Sequence, residues 1–259
     1  MTLPRIFDCF MFNDELDMLE CRLTELSAVV DQFILLECAE THSRQPKPLV
    51  YRDNAARFRP WASKIYSGFL HGLLETDPMK RDEEQREAFV LALNAAGAQP
   101  HDIILQSDLD EIPTRDSVKH IEHHLWFSAD RSNFLAMEQR LHCFAVDWEH
   151  PQGWRGTVAA RYAHIKSFSE MRHSRETVPR LKNAGHHLSW LGGGAQAAKK
   201  LEAFAHQELL YMRNELARDT RRVSGVHVDG VQMRPVDIDP SYPEYIRQRK
   251  CPDNWFRPR

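Results

Sequence analysis

No two cysteines stand as C-x-x-C, so the sequence has neither the zinc-knuckle nor the thioredoxin-type pattern. Its five cysteines (Cys9, Cys21, Cys38, Cys143, Cys251) are odd in number and scattered. Cys9 and Cys38 sit in apolar runs, where a thiol acts as a small hydrophobe, and this usage predicts free thiols in a reducing compartment. The first residues lack the basic segment and long apolar stretch of a signal peptide. Nothing approaches eighteen consecutive apolar residues, so no membrane-spanning helix is expected and the predicted location is cytoplasmic. A dominant charge is also missing: 34 Lys and Arg face 37 Asp and Glu, a net charge of -3. Bulk charge therefore gives no preference for polyanions such as nucleic acid. The patterns G-x-S-x-G, G-x-x-x-x-G-K-[ST] and H-E-x-x-H are absent. The glycine triplet at 192–194 lacks the preceding strand that a dinucleotide fingerprint needs.

What is present alternates. Residues 5–12 form a short apolar run, and Asn13-Asp14-Glu15 then opens a helix with Leu16, Leu19, Leu23 and Leu26 at three- and four-residue spacing. Residues 29–37 (VVDQFILLE) predict a buried strand, residues 41–48 a loop with two prolines, and residues 63–69 a weaker strand. Residues 82–96 predict a helix stopped by Gly97, 101–106 (HDIILQ) a third apolar strand, and 114–124 another helix. A long strand is expected over 133–146, a Trp-, Gly- and Pro-rich loop over 148–156, and a helix from about 195 to 217. This rhythm predicts an α/β fold with a mostly parallel central sheet flanked by helices and an irregular C-terminal part. No repeat, low-complexity linker or clean boundary divides the chain, so one domain is expected. Its two halves would be about 1–130, holding the regular strands and helices, and about 131–259, with the irregular part.

In such sheets ligands gather beyond the carboxyl ends of the strands. Ser107-Asp108-Leu109-Asp110-Glu111 stands there, directly after HDIILQ. Two carboxylates one residue apart can hold a hard divalent cation, which would bridge them to nucleotide phosphates. An isolated D-x-D also fits a solvated acidic loop at the start of the next helix. Arg81 to Arg86 reads either as an exposed helix face with i,i+4 pairs or as a source of guanidinium for phosphate. In Gly185-His186-His187-Leu188-Ser189-Trp190, two adjacent histidines point different ways, so at most one meets a given metal; a core or surface histidine is the plainer reading. Residues 161–182 are the most basic stretch, suited either to closing over a diphosphate or to an anionic acceptor.

Taken in order, these segments resemble glycosyltransferase family 17. That family includes the enzyme that adds a bisecting β-1,4-linked N-acetylglucosamine to N-glycans, together with bacterial and viral members. The resemblance rests on Phe12-Asn13-Asp14-Glu15-Leu16-Asp17-Met18-Leu19-Glu20 with Arg22-Leu23, on Leu36-Glu37, Lys47-Pro48-Leu49 and Gln85-Arg86, and on Ser107 to Pro113 (SDLDEIP). It continues through Gly185 to Trp190, Lys200 to Glu208 and Tyr242-Pro243-Glu244-Tyr245-Ile246, nearly the whole chain. One departure is His186, where the family commonly has Trp before its histidine. This supports His187 as the family's histidine.

The resemblance implies a GT-A-like (Rossmann-like) fold and metal-dependent, inverting transfer of a sugar from a nucleotide sugar. The donor is expected to be UDP-linked and GlcNAc-like, the cofactor Mn²⁺ or Mg²⁺, and the acceptor a hydroxyl of a glycan or glycoconjugate. A nucleic-acid acceptor is left open by the basic stretch and not indicated by net charge. Asp108, Asp110 and His187 are the expected metal ligands. Asn13, Asp14, Glu37, Arg81, Gln85, Arg86 and Asp108 are expected around the donor. Asp110, Glu111 and Glu208 are the expected catalytic residues, with Glu138 and Asp147 as further candidate bases. A nucleotide-sugar hydrolase or phosphoryl enzyme using the same acidic loop, and a non-catalytic sugar-binding module, are the alternatives.

Overall fold

The computed structural model describes residues 3–127 and 134–258. Strand β1 (Ile6–Phe12) is buried almost throughout, because it lies between two parallel neighbours and is covered on both faces. Those neighbours are β2 (Gln32–Cys38) and β4 (Ile103–Asp108), and β3 (Ile65–Leu70) continues the parallel run beyond β2. The helix Leu16–Leu26 returns the chain from β1 to β2, with Leu19, Leu23 and Leu26 turned into the core as their spacing predicts, Leu16 half-buried at its start and Met18 buried as well. The register sets Met11 opposite Asp108 and Phe12 opposite Glu37, so β1, β2 and β4 end level. The loop Asn13-Asp14-Glu15 and the turn after Asp108 therefore share one edge of the sheet.

The expected helix over 82–96 is two helices, Pro78–Glu87 and Phe89–Ala95. The first starts four residues early. Asp77 caps it, accepting the N–H groups of Met79 and Lys80, and Pro78 occupies the first turn. Gly97 ends the second with φ +74°, in the left-handed region that glycine enters without cost.

Beyond β4 the sheet changes direction. The strand β5 (Glu111–Pro113) follows the acidic turn, and the helix Arg115–Phe127 follows it, close to expectation. The expected strand over 133–146 is β6 (Phe134–Cys143); Asn133 and the anticipated boundary near residue 130 lie outside the described residues. The segment expected as a loop holds the short β7 (Trp148–Glu149) and the start of β8 (Trp154–Arg161). Strand β8 runs antiparallel between β4 and β6. Parallel pairing thus holds for the first four strands, while the second half is mixed. Strands β9 (Arg180–Leu181) and β10 (Gly185–Ser189) run parallel to β6, and β11 (Arg234–Pro235) pairs with β7. The expected helix over 195–217 ends at Ala203, giving way to a 3-10 turn, Gln207–Met212, and a short helix, Arg213–Leu216.

Strand β10 crosses β5 with His187 opposite Glu111 and Gly185 opposite Pro113. A Cβ on Gly185 would stand 2.3 Å from the Ile112 carbonyl oxygen, so only glycine admits this approach. The approach delivers His187 to the acidic turn.

Candidate active site

The acidic turn is built around Arg22. Its guanidinium, fully buried, pairs with Asp8 through Nε (2.7 Å) and Nη2 (2.6 Å). From the same group Nη1 donates to the carbonyls of Asp108, Leu109 and Glu111 at 2.9–3.1 Å, and Nη2 reaches Ser107 Oγ. One planar fork with fixed donors therefore sets the path of the whole turn, a task for which lysine lacks the geometry.

The turn then presents its carboxylates separately. Asp108 is held from two sides, by Arg86 (2.8 Å) and Arg172 (2.7 Å). Burial acts to raise its pKa, but the fields of Arg172 and Arg86 outweigh it and hold the carboxyl well below the usual range. Asp110 faces His187, whose Nε2 lies 3.4 Å from Oδ1, and Lys200, whose Nζ donates to Oδ2 at 2.7 Å. Here too burial is outweighed, by Lys200 and His187, and Asp110 stays ionised at low pH. Glu111 is fully buried and saturated. It accepts from both Nη atoms of Arg172 (2.6 and 2.7 Å), Trp154 Nε1 (2.6 Å) and the Asp108 N–H (2.9 Å).

Asp108, Asp110, His187 and Lys200 line a cavity of about 470 Å³, a size suited to a small ligand, whose wall also includes Asn13, Glu15, Gln85 and Arg175; Glu111, an expected catalytic residue, lies behind the wall and not on it. Arg175 lies over the Trp154 ring, 4.9 Å from its centroid, and its Nη1 is buried without a hydrogen bond; Arg86 Nη1 is likewise unpartnered. Arg175 Nη1 lies 3.8 Å from Glu111, so both guanidinium groups on this wall keep hydrogen-bonding capacity to spare. Glu15 is half-buried and also faces the cavity. Burial raises its carboxyl pKa against the pull of Lys200, with Asp14 and Asp110 adding to the rise.

Not every expected residue is gathered here. Asp14 lies in an adjoining recess, where Gln196 and Lys199 reach its carboxylate. Glu37 accepts from Lys47 and from the N–H groups of Val50 and Tyr51, capping the turn that follows. Arg81 donates to the carbonyls of Leu73, Glu75 and Thr41 and pairs with Glu40, bracing a loop beside the cavity. Gln85 bonds His42, a wall residue, at 2.9 Å. Glu208 is exposed against His206, Glu138 pairs with Arg180, and Asp147 with Arg257; none of the three lines the cavity. The unexpected His186 sits behind the wall, between His142 (3.0 Å) and the ring of Tyr242 (centroids 4.3 Å apart).

Among residues that carried no expected role, Arg172 and Arg175 belong to the basic stretch, Lys200 to the segment after the glycine triplet, and Glu15 and Arg22 to the first motif. Their signals were present as composition. Trp154 had none beyond a loop rich in Trp and Gly.

The trio Asp108, Asp110 and His187 does not bring three ligand atoms within 4.8 Å of one another. Asp110 and His187 do suit a shared ion. Neighbouring ligands on an octahedral cation with bonds of about 2.1 Å stand about 3 Å apart, close to the 3.4 Å seen. An oxygen and an imidazole nitrogen suit Mn²⁺ better than Mg²⁺.

Curated relatives include the rat and human proteins named beta-1,4-mannosyl-glycoprotein 4-beta-N-acetylglucosaminyltransferase. Each is 29% identical over 125 residues, 44% of this chain. The alignment spans only 22% and 23% of those proteins' lengths. Among solved structures, Mycobacterium tuberculosis glucosyl-3-phosphoglycerate synthase aligns over 95% of this chain and 92% of its own, with a TM-score of 0.44 and 12% identity. A 4-diphosphocytidyl-2C-methyl-D-erythritol synthase aligns over 71% of this chain and 90% of its own, at 0.44 and 11%. Among the described residues no helix is long and apolar enough to cross a membrane. The family model of glycosyltransferase family 17 matches residues 1–244, and with the acidic turn, its cations and the cavity in place, the chain belongs to that family of glycosyltransferases.

Proposed function

We propose that this chain transfers a GlcNAc-like sugar from a UDP-linked donor to a hydroxyl of a glycan or glycoconjugate, by one inverting displacement assisted by a divalent cation. The observation that carries the reading is the Asp110–His187 pair on the wall of a cavity that also holds two unpartnered arginine donors. Around the turn, Arg86, Arg172, Arg175 and Lys200 are matched one for one by Asp82, Asp108, Asp110 and Glu111. A diphosphate entering this balanced set brings about two negative charges that its side chains leave uncompensated. Asp110 and His187 would hold a divalent cation, which would supply that charge and Lewis acidity toward a leaving diphosphate. Arg175 and Arg86, both on the cavity wall, would then meet phosphate oxygens.

Glu15 is the carboxylate best suited to take the acceptor proton. It faces the cavity and its pKa is raised, whereas Glu111 has spent its oxygens on Arg172, Trp154 and a backbone N–H. The parallel first half would hold the donor and the second half the acceptor. Five buried, unpaired cysteines support a cytoplasmic setting.

A second reading follows from Lys200 on Asp110 and the two arginines on Asp108: the cations alone neutralise the diphosphate, without an ion. A thermal-shift screen of UDP-, GDP-, ADP- and dTDP-sugars with and without Mn²⁺ separates the two. A donor at a hundred times its Kd stabilises by about 2.7 kcal/mol. Stabilisation by UDP-sugars that requires Mn²⁺ supports the first reading, and the same shift after chelation supports the second. No shift with any nucleotide sugar overturns the donor assignment.

A further inference from the structure

A second group of ligand-type side chains lies where the C-terminal half borders the cavity. Residues 226–232 fold into a tight hairpin, closed by a bridge between Val226 and Gln232 and by His227 N–H donating to the Val231 carbonyl at 2.9 Å. Gly230, at φ +88°, makes the turn, and the Val231 N–H donates to Asp229 Oδ1 (2.9 Å), fixing that carboxylate. The hairpin thereby directs His227 and Asp229 to one side, 2.8 Å apart between Nδ1 and Oδ1. Facing them is His150, anchored just after β7 by its backbone N–H to the Leu141 carbonyl. Its Nε2 lies 3.3 Å from Asp229 Oδ2.

His150 is only 5% exposed, and its Nε2 faces the Asp229 carboxylate and the His227 ring with no other partner. The other ring nitrogen, Nδ1, accepts from the Gln152 N–H (3.1 Å) and lies 3.3 Å from the Gln152 carbonyl oxygen. When an ion takes Nε2, the ring proton shifts to Nδ1 and that carbonyl becomes its acceptor, the kind of second partner that orients metal-binding histidines. One ligand atom from each of the three residues lies within 4.8 Å of the others. Tetrahedral zinc with bonds of about 2.0–2.1 Å sets its ligands about 3.3 Å apart; His150 already stands at that spacing from Asp229 (3.3 Å), and His227, at 2.8 Å from the other carboxylate oxygen, would move outward by about half an ångström.

We propose that His150, His227 and Asp229 bind one Zn²⁺-class transition-metal ion. Two imidazoles and a carboxylate discriminate against Mg²⁺ and Ca²⁺, which take oxygen ligands. Asp229 is 48% exposed, so the fourth position opens to solvent and to the cavity wall, which His227 and Val228 help to form. The ion pins the hairpin to the sheet and so fixes that wall. The proposal is independent of the donor chemistry, since none of these residues touches the acidic turn.

The test uses the full chain, stripped with a chelator and titrated with Zn²⁺ in a calorimeter, alongside His227→Ala, Asp229→Asn and, as a control, Asp110→Asn. Asp110→Asn should keep the one equivalent that the hairpin cluster binds, as wild type does. The other two variants should bind at least about 10- to 100-fold more weakly, since even an outer partner of a metal ligand costs that much. Excess Mg²⁺ should not compete, and Zn²⁺ should raise the Tm of wild type but not of Asp229→Asn, an exposed change that circular dichroism can verify as folded. The proposal is overturned by wild type that takes up no Zn²⁺, by affinity retained in both hairpin variants, or by affinity lost only in Asp110→Asn.

Discussion

Replacing Arg22 by methionine removes a buried guanidinium and leaves the fully buried Asp8 carboxylate without its partner. Breaking a buried pair from one side costs about 3–5 kcal/mol, most of it the stranded charge. For a chain of this size that is a fall in Tm of roughly 10 °C. Three carbonyls of the acidic turn lose their donor at the same time. Two effects should therefore separate. In the double variant Asp8→Leu with Arg22→Met no charge is stranded, and much of the stability should return, with a coupling of about 0.5–3 kcal/mol in the cycle. Donor binding should not return, because the carbonyls of Asp108, Leu109 and Glu111 still lack the donor that sets the path of the turn. Urea midpoints for the four proteins give the first quantity, and calorimetric titration with UDP gives the second. Arg22→Met within about 1 kcal/mol of wild type would refute the assigned burial cost, and a double variant with wild-type UDP affinity would refute the positioning role.

Glu15→Gln should lower turnover by about 10²- to 10⁴-fold with little change in donor affinity, and the acid limb of the pH–rate profile should vanish with it; an unchanged profile excludes Glu15 as base. Arg175→Gln should weaken UDP binding and reduce its salt dependence while leaving stability nearly unchanged, because its Nη1 makes no hydrogen bond to lose; equal affinity at all salt concentrations would exclude a phosphate contact. Burial, with Arg140 nearby, pushes the His186 pKa down to about 4. The unfolded chain binds that proton near pH 6.5 and the folded chain does not, so stability should fall as pH drops from about 6.5 to 4, by about 3 kcal/mol from this residue. His186→Gln should flatten the slope of urea-derived stability in that window, and an equally steep slope would rule out His186 as its source.

The parallel half of the fold was legible because its strands are continuous apolar runs between amphipathic helices. The acidic turn was legible through its place after HDIILQ and the company of the other family segments, since a D-x-D alone fits a solvated loop as well. Strand β8 was hidden by the Trp, Gly and Pro residues that precede it, and β10 by its histidines, since neither alternates as a half-exposed strand does. The helix expected to reach residue 217 shares its composition with the one that stops at Ala203; nothing local marks that break. Within the site, the separation of roles was illegible. Asp108 and Asp110 look alike in the sequence, and only the arrival of Arg172, His187 and Lys200 from later segments makes one a bound brace and the other a candidate ligand. Arg81 and Glu37 stand close by in the fold, yet their charges are taken up by loop carbonyls and helix N–H groups.

The clamp on Asp108 joins helices that lie on either side of it in the chain, with Arg86 synthesised before it and Arg172 long after. His187 and Lys200 follow later still. During synthesis the N-terminal segments emerge first, so the parallel strands and their acidic turn exist before any of the residues that partner Asp110. A nascent or truncated chain lacking residues beyond about 165 would carry the carboxylates with neither the histidine nor the lysine beside them. The partners of Asp110 thus join the acidic turn only after the whole parallel half has been made.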